Sequence, residues 1–245
     1  MLSKSTIKFV KSLQLKKNRI KESCFTVEGD KIVNELISQN TYEIRQIFAL
    51  DSWINQHLTK IKDLSVVQQI SSKEMDRLSG LRSHRSVLAV VDMPNLKSVS
   101  PRSKSLNLVL DHIQDPGNLG TIIRLADWFG VEQIICSSDC VDMYNPKVIQ
   151  ATMGSFLRVP IRYEILSDFL TSLNDVDIWM TTLQGESLKT LALKQTTYVV
   201  IGNEGNGIRE EILVLSDKNI SIESRGQAES LNAAMAAGII CYALN

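Results

Sequence analysis

The sequence has few cysteine, proline and aromatic residues, and its composition is that of an ordinary globular protein. It contains four cysteines and five prolines in 245 residues, and only 6% of the chain is aromatic. The cysteines form no C-x-x-C pair, which indicates reduced, mostly buried thiols of a cytosolic protein. There is no H-E-x-x-H motif and no Cys/His cluster, so we expect no metal site.

Several signals of other protein classes are also missing. No apolar run approaches the roughly 20 residues that span a bilayer, and the N-terminus lacks the apolar segment of a signal peptide. The chain has neither a G-x-x-x-x-G-K-[ST] phosphate loop nor a G-x-S-x-G nucleophile elbow. The glycines of GNEGNG, at 202–207, have the wrong spacing for a dinucleotide motif. We therefore expect a cytoplasmic protein without these sites and without a membrane anchor.

Charge is unevenly distributed along the chain, although it has 27 basic and 27 acidic residues. Residues 1–104 hold 18 Lys and Arg against 10 Asp and Glu, whereas residues 105–245 hold 9 against 17. A basic arm favours a polyanionic partner, because phosphate contacts give sequence-independent affinity. A solvated helix face would explain the same residues without a partner. The arm's basic residues are Lys4, Lys8, Lys11, Lys16, Lys17, Arg19 and Lys21.

The first 91 residues predict a small α/β domain. Four β-rich runs predict strands: CFTV, IRQIFAL, SVVQQI and SVLAVV. Between them, residues 28–40 and 71–80 have helical patterns, and the second has a serine cap. The predicted face of the first helix consists of Ile32, Val33, Leu36 and Ile37. We place this domain at 1–93 and a Pro-, Ser- and Lys-rich linker at 94–104.

Residues 105–245 predict a second α/β domain. Six runs predict strands: LNLVLDHI, EQIICSS, RVPIRYE, DIWMTTL, TTYVVIG and NISIES. The helices between them are predicted to begin at Leu119, near 145, near 167, at Arg209 and at Ser230. Strands separated by helices imply a mostly parallel sheet covered on both faces. Ligands of such sheets bind beyond the carboxyl ends of the strands.

Three turns that follow predicted strands form a candidate ligand-binding site. They are DPGNLGTIIR, GNEGNGIREE and SRGQAESLNAAMAAG, and each can expose backbone N–H groups at a helix N-terminus. Each turn alone has an ordinary interpretation. Asn118 and Ser230 can cap helices, Glu204 can favour a helix start, and Arg124 can face solvent. The order and spacing of the three turns favour a common role.

Together the three turns identify the chain as resembling the SpoU (TrmH-type) family of RNA ribose 2′-O-methyltransferases in the SPOUT superfamily. The family motif N-x-G-x-x-x-R matches Asn118, Gly120 and Arg124. A strand running into G-x-E-G matches 202–205, and S-L-N matches 230–232. The N-terminal half, with FTVEGDKIVNEL, resembles the family's RNA substrate-binding domain, which is related to ribosomal proteins.

The resemblance implies a trefoil-knot domain, a homodimer that completes the active site, and S-adenosylmethionine as cofactor. Apolar side chains would enclose its adenine while freed backbone groups contact the ring edge. Among RNA substrates, the resemblance favours ribosomal RNA. The implied catalytic residues are Asn118, Arg124, Glu204, Ser230 and Asn232. The implied cofactor-binding residues are Leu183, Gly202, Ile222 and Leu231. The residues assigned to RNA binding are Lys4, Lys8, Lys11, Lys16, Lys17 and Arg19.

The role of Arg124 follows from the reaction. Methyl transfer requires in-line approach of the ribose oxygen and loss of its proton, but a guanidinium remains charged at neutral pH. Our hypothesis is that Arg124 holds a phosphate or stabilises the emerging alkoxide. Glu204 would then orient Arg124 or the ribose, while Ser230 and Asn232 shape the pocket through hydrogen bonds.

The sequence differs from the family pattern at two places, and two alternative functions are compatible with it. The family often has Ile-Pro where this chain has Ile222-Glu223, and His-Gln-Gly where it has SHRS at 83–86. The first departure puts the local backbone in question, and for His84 a structural or solvent role is favoured over RNA contact. The alternative functions are methylation of a base and RNA binding by a dimer without catalysis.

Overall fold

The computed structural model of the protein describes residues 2–81, 86–94 and 101–244. His84 and part of the expected linker therefore lie outside the described residues. Contacts divide the chain into two compact units. The first unit covers 1–95 and Tyr144–Leu157, and the second covers 96–143 and 158–245.

The first unit contains a four-stranded sheet with the strand order β1-β4-β2-β3. Strand β4 is antiparallel to β1 and β2, and β2 is parallel to β3. All four runs predicted as strands are confirmed, although the first two residues of the third run belong to a 3-10 turn and its strand is short. The strands are β1 (Cys24–Glu28), β2 (Ile44–Ala49), β3 (Val67–Gln69) and β4 (Val87–Asp92).

The described residues of the first unit form six α-helices. Five lie before residue 95, and the sixth lies in the segment Tyr144–Leu157. The helix predicted over 28–40 is confirmed, and its four predicted core residues are all buried. The serine cap at 71 is also confirmed, because Ser71 and Glu74 form a reciprocal capping box. The helices are α1 (Lys4–Ser12), α2 (Lys16–Glu22), α3 (Asp30–Gln39), α4 (Asp51–His57), α5 (Ser72–Leu78) and α7 (Pro146–Thr152).

The basic arm is folded as the helices α1 and α2. Its lysines are exposed, but Arg19 is only 1% exposed. The Arg19 guanidinium donates to the carbonyl oxygens of Leu13 and Gln14, at 2.8 and 2.9 Å. Arg19 therefore ties α2 to the turn after α1, and assigning it to RNA contact was wrong. A sequence pattern of basic residues alone could not separate this arginine from its exposed neighbours.

The second unit contains a six-stranded sheet with the order β10-β8-β9-β5-β6-β7, and every pair in it is parallel. This confirms the predicted parallel α/β sheet. Strands β5, β6 and β9 are buried along their whole length, as expected for central strands covered on both faces. The strands are β5 (Leu106–Leu110), β6 (Ile134–Ser137), β7 (Ile161–Glu164), β8 (Asp177–Ser187), β9 (Thr197–Ile201) and β10 (Lys218–Ser221).

Two predicted helix starts in this unit were wrong. The first helix begins at Pro116 rather than Leu119, because Asp115 caps it by accepting from the Asn118 N–H at 2.8 Å. The last begins at Ala233 rather than Ser230. The helices of this unit are α6 (Pro116–Trp128), α8 (Leu166–Thr171), α9 (Glu210–Leu213) and α10 (Ala233–Leu244).

Three further observations concern the described residues as a whole. None of their helices combines the length and apolar character that a membrane crossing requires. All four cysteines are buried free thiols. No group of three or more His, Cys, Asp and Glu in the described ranges is arranged to hold a metal ion.

Candidate functional site

A cavity of about 760 Å³ lies within the second unit, against residues 181–183 of β8 and at the carboxyl ends of β9 and β10. All four residues that the family resemblance assigns to the cofactor line it: Leu183, Gly202, Ile222 and Leu231. Leu183 is 80% exposed and Leu231 47%, although both are apolar. Exposed apolar side chains at the wall of a cavity are suited to the flat face of an organic ligand.

Polar side chains from the three turns meet beside this cavity. Asn118 donates through Nδ2 to Glu204 Oε1. Asn232 Nδ2 donates to Asn118 Oδ1 at 2.9 Å and lies 3.4 Å from Glu204 Oε1. The backbone N–H of Ala233 also reaches Glu204 Oε1, at 3.4 Å. The structure thus joins three of the five predicted catalytic residues in one hydrogen-bonded cluster.

The turn after β9 is built around two close backbone segments. A Cβ on Gly202 would lie 2.3 Å from the Gly207 carbonyl carbon, so only glycine fits without a shift. Asn203 and Gly207 exchange backbone hydrogen bonds, and Gly207 has φ +67°. Asn203 Oδ1 accepts from the Gly205 N–H at 2.8 Å. These contacts define the position of Glu204, which stands inside the turn.

The segment before α10 shows which residue caps that helix. Asn232 Oδ1 accepts from the backbone N–H groups of Ala234 and Met235, at 3.0 and 3.3 Å. Ser230 is exposed, lines the cavity and makes no hydrogen bond with the described residues. Asn232 therefore both caps the helix and orients its amide toward Asn118, which is why α10 begins three residues after Ser230.

Glu223, at the first departure from the family pattern, has defined partners. It accepts from Ser187 Oγ at 2.7 Å and from the Lys189 ammonium. These hydrogen bonds, with Lys189 contributing most, lower the pKa of the Glu223 carboxyl. In addition, Ser221 Oγ donates to the Gly185 carbonyl at 3.0 Å. The backbone around Ile222 is therefore held by the last residues of β8 and by Lys189, which follows that strand.

Arg124 is exposed on α6 and lies apart from the cavity wall. It makes no hydrogen bond or ion pair with any of the described residues. The structure therefore does not bring Arg124 to Glu204, and the expectation that Glu204 orients Arg124 is not met in this chain. The guanidinium keeps all its donors available on the surface.

Sequence reasoning missed a charged pair between the first two turns. Asp111 is fully buried at the end of β5, and Arg209 Nε donates to its Oδ1 at 2.8 Å. That hydrogen bond is the main reason that the pKa of Arg209 is raised. The available signal was an aspartate ending the apolar run LNLVL, which is costly to bury without a partner.

The fold and these turns define an α/β protein that binds a small ligand at the carboxyl edge of its parallel sheet. Sequence comparison gives the narrower assignment. The chain belongs to the SpoU rRNA methylase family, whose profile matches residues 105–242. A second profile, the MRM3-like substrate binding domain, matches residues 4–89.

Individual relatives resemble almost the whole chain. The 23S rRNA (guanosine(2553)-2′-O)-methyltransferase RlmP of Bacillus subtilis is 31% identical, covering 97% of this chain and 95% of the relative. A TrmH-family protein from Porphyromonas gingivalis has a similar structure, with a TM-score of 0.87, 31% identity and coverage of 99% and 98%. An AdoMet-bound rRNA methyltransferase from Sinorhizobium meliloti gives a TM-score of 0.88, 26% identity and coverage of 99% and 95%.

The backbone contact at Gly202 gives a testable prediction. Gly202→Ala should lower the free energy of unfolding by about 1–3 kcal/mol, because the new methyl group must displace backbone atoms of Gly207 and Ile208. Urea denaturation measures this change. Gly205→Ala is the matched control, since its Cβ would meet only the Asn203 side chain at 3.4 Å. Equal losses in both variants would contradict the close-contact explanation.

Proposed function

We propose that the protein transfers a methyl group from S-adenosylmethionine to a ribose 2′-hydroxyl in ribosomal RNA. The observation that carries the proposal is the hydrogen-bonded cluster of Asn118, Glu204 and Asn232 beside an apolar-walled cavity. Family membership and the printed activity of the Bacillus subtilis relative support the same reaction. The Sinorhizobium meliloti structure, described as AdoMet-bound, supports the cofactor.

The cavity residues fit the proposed cofactor. Leu183, Ile222 and Leu231 would contact the adenine, and Gly202 would allow the ring edge to approach the backbone. S-adenosylmethionine, when bound, supplies an electrophilic methyl group on its sulfonium. The acidic Glu204 beside the cavity is also compatible with a positively charged ligand.

The chain's own residues would orient the ribose and manage its charge. Glu204 already accepts from Asn118, so its second carboxylate oxygen, Oε2, can accept from a ribose hydroxyl. Ser230, exposed at the cavity wall, can donate to the same substrate. Arg124 would hold an RNA phosphate or stabilise the 2′-oxygen as its proton leaves, because its guanidinium stays charged.

A homodimer would explain how an Arg124 outside the cavity takes part. Trp128, one turn after Arg124 on α6, is 82% exposed. Helix α10 packs against α6 and presents Met235 and Tyr242, which are 62% and 77% exposed. Such an apolar surface on two adjacent helices suits an isologous contact with a second copy, and that contact would cover Arg124's helix face.

The expected result for Arg124 is a large loss of turnover with intact cofactor binding. Arg124→Ala and Arg124→Lys should lower kcat by about 10²–10³-fold, since both remove the planar guanidinium donors aimed at developing charge. Cofactor affinity, measured by titration calorimetry, should change little. Arg102→Ala is the matched control, because Arg102 is exposed and pairs only with Glu132 in the second unit.

Two results would contradict this assignment. Near-full turnover by Arg124→Ala would remove Arg124 from the reaction. Mass analysis of nuclease-digested product separates ribose from base methylation, and a methylated base would replace the proposed reaction by its base-modifying alternative. Wild-type protein that binds RNA but transfers no methyl group would support the non-catalytic alternative instead.

The exposed lysines of α1 and α2 are the proposed RNA contacts of the first unit: Lys4, Lys8, Lys11, Lys16 and Lys17. The match of residues 4–89 to a substrate binding domain supports this role. Lys4, Lys8 and Lys11 are spaced so that they share one face of α1. A row of ammonium groups on one helix face can follow a phosphate backbone.

Salt dependence tests the lysine row. A triple variant with Lys4, Lys8 and Lys11 changed to Gln should bind RNA more weakly and reduce the slope of log K against log salt by about 2, if each lysine meets one phosphate. Filter binding at several salt concentrations measures the slope. The same change at Lys60, Lys62 and Lys73, also exposed, is the control. An unchanged slope in the first variant would exclude this face.

The dimer surface has its own test. Met235→Glu should shift the protein to monomer in analytical ultracentrifugation and lower turnover together with it, because a buried unpaired carboxylate opposes association. Val214→Glu changes a similarly exposed apolar residue, 74% exposed on the same unit, and should leave the dimer intact. A wild-type monomer with full activity would contradict the proposed dimer.

Three further expectations remain part of this proposal. We infer the trefoil knot of the SPOUT superfamily for the C-terminal segment that ends in α10. We keep residues 1–93, 94–104 and 105–245 as substrate-binding domain, linker and methyltransferase domain. A cytoplasmic location is inferred from the ribosomal RNA substrates named for relatives and is compatible with four free thiols.

A further inference from the structure

The pair formed by Asp111 and Arg209 connects the two turns that carry Asn118 and Glu204. Arg209 Nε and Nη2 approach Asp111 Oδ1 at 2.8 and 2.5 Å, and the Arg209 backbone N–H donates to Oδ2 at 2.9 Å. Both carboxylate oxygens are therefore used. Asp111 has no exposed surface, so its charge depends on this partner.

The turn that contains Glu204 is fixed at both of its ends to the residues that follow β5. At its start, Asn203 Nδ2 donates to the carbonyl oxygen of His112 at 3.0 Å. At its end, Arg209 binds Asp111. His112 itself has φ +59°, a left-handed conformation, and its Nδ1 lies 2.9 Å from Asp139 Oδ2. The chain then enters α6, which carries Asn118.

This arrangement bears on catalysis because the Asn118–Glu204 hydrogen bond spans the two turns. If the turns separate, that bond and the cavity wall at Gly202 change together. Displacement of a positioning group by about 1 Å can cost about 10²-fold in rate. A buried ion pair contributes little net stability compared with apolar residues of the same volume, so its value here lies in geometry.

We propose that Arg209 and Asp111 are positioning residues that set Glu204 relative to Asn118. This inference rests on the proposed methyl transfer. Neither residue lines the cavity or contacts the cluster directly. They act through the backbone of the 202–209 turn, which they hold against the end of β5.

Because Arg209 is partly exposed, its positioning role can be tested by chemical rescue with a small cation. Its side chain is 41% exposed, while that of Asp111 is 0% exposed. Shortening Arg209 to alanine would leave a solvent-connected space above the Asp111 carboxylate. A guanidinium ion from solution has the planar donor geometry to fill that space, whereas methylammonium has the charge without that geometry.

The test compares Arg209→Ala, Arg209→Lys and Asp111→Asn with Glu211→Gln. Glu211 is the matched control, because its carboxylate lies 3.9 Å from Arg209 Nη1 but stays 67% exposed. We expect kcat to fall about 10–100-fold in Arg209→Ala and Asp111→Asn, with KM for RNA unchanged within about twofold. Arg209→Lys should retain intermediate activity, and Glu211→Gln should resemble the wild type.

Rescue separates a positioning role from a purely structural one. Guanidinium chloride at tens of millimolar, compared with equal sodium chloride, should restore kcat of Arg209→Ala in a saturable manner, and methylammonium should not. Wild-type kcat in Arg209→Ala would overturn the inference. So would a loss of kcat in Arg209→Ala that guanidinium does not restore although the circular dichroism of the variant is that of the wild type. A wild-type enzyme without methyl transfer would instead refute the proposed function.

Discussion

The second unit depends on one carboxylate, that of Glu204, accepting hydrogen bonds from groups far apart in the sequence. Asn118 lies 86 residues before it, and Asn232 lies 28 residues after it. Each donor belongs to a different turn at the carboxyl edge of the parallel sheet. These groups can meet only if the end of β5, the end of β9 and the start of α10 lie side by side, so the cluster depends on the topology of the unit.

The same residues serve the fold and the proposed reaction. Asn232 caps α10 with its oxygen and contacts Asn118 with its nitrogen. Asn203 shapes the glycine turn and attaches it to the residues after β5. Side chains that hydrogen-bond the local backbone also border the cavity, so these contacts form without a ligand, and such preorganisation reduces the entropy cost of binding.

Much of the fold could be predicted from periodicity, because buried strands and amphipathic helices leave clear patterns. The runs LNLVL and TYVVI are strands, and Ile32, Val33, Leu36 and Ile37 form a buried helix face, as predicted. Caps and long-range partners were harder. Because Asp115 and Asn232 cap their helices, α6 and α10 begin at other residues than predicted. Arg19 is buried and donates to backbone carbonyl groups, which no sequence pattern identifies.

Recognition of the site came from motif order, whereas its geometry required the structure. The motifs brought Asn118, Glu204 and Asn232 together, but they gave no sign of the Asp111–Arg209 pair. The central claim is that these turns form a single pocket for a sulfonium donor. A crystal structure with S-adenosylmethionine tests it most directly. The account predicts the adenine against Leu183, Ile222 and Leu231 and the methyl group toward Glu204; a donor bound elsewhere would contradict it.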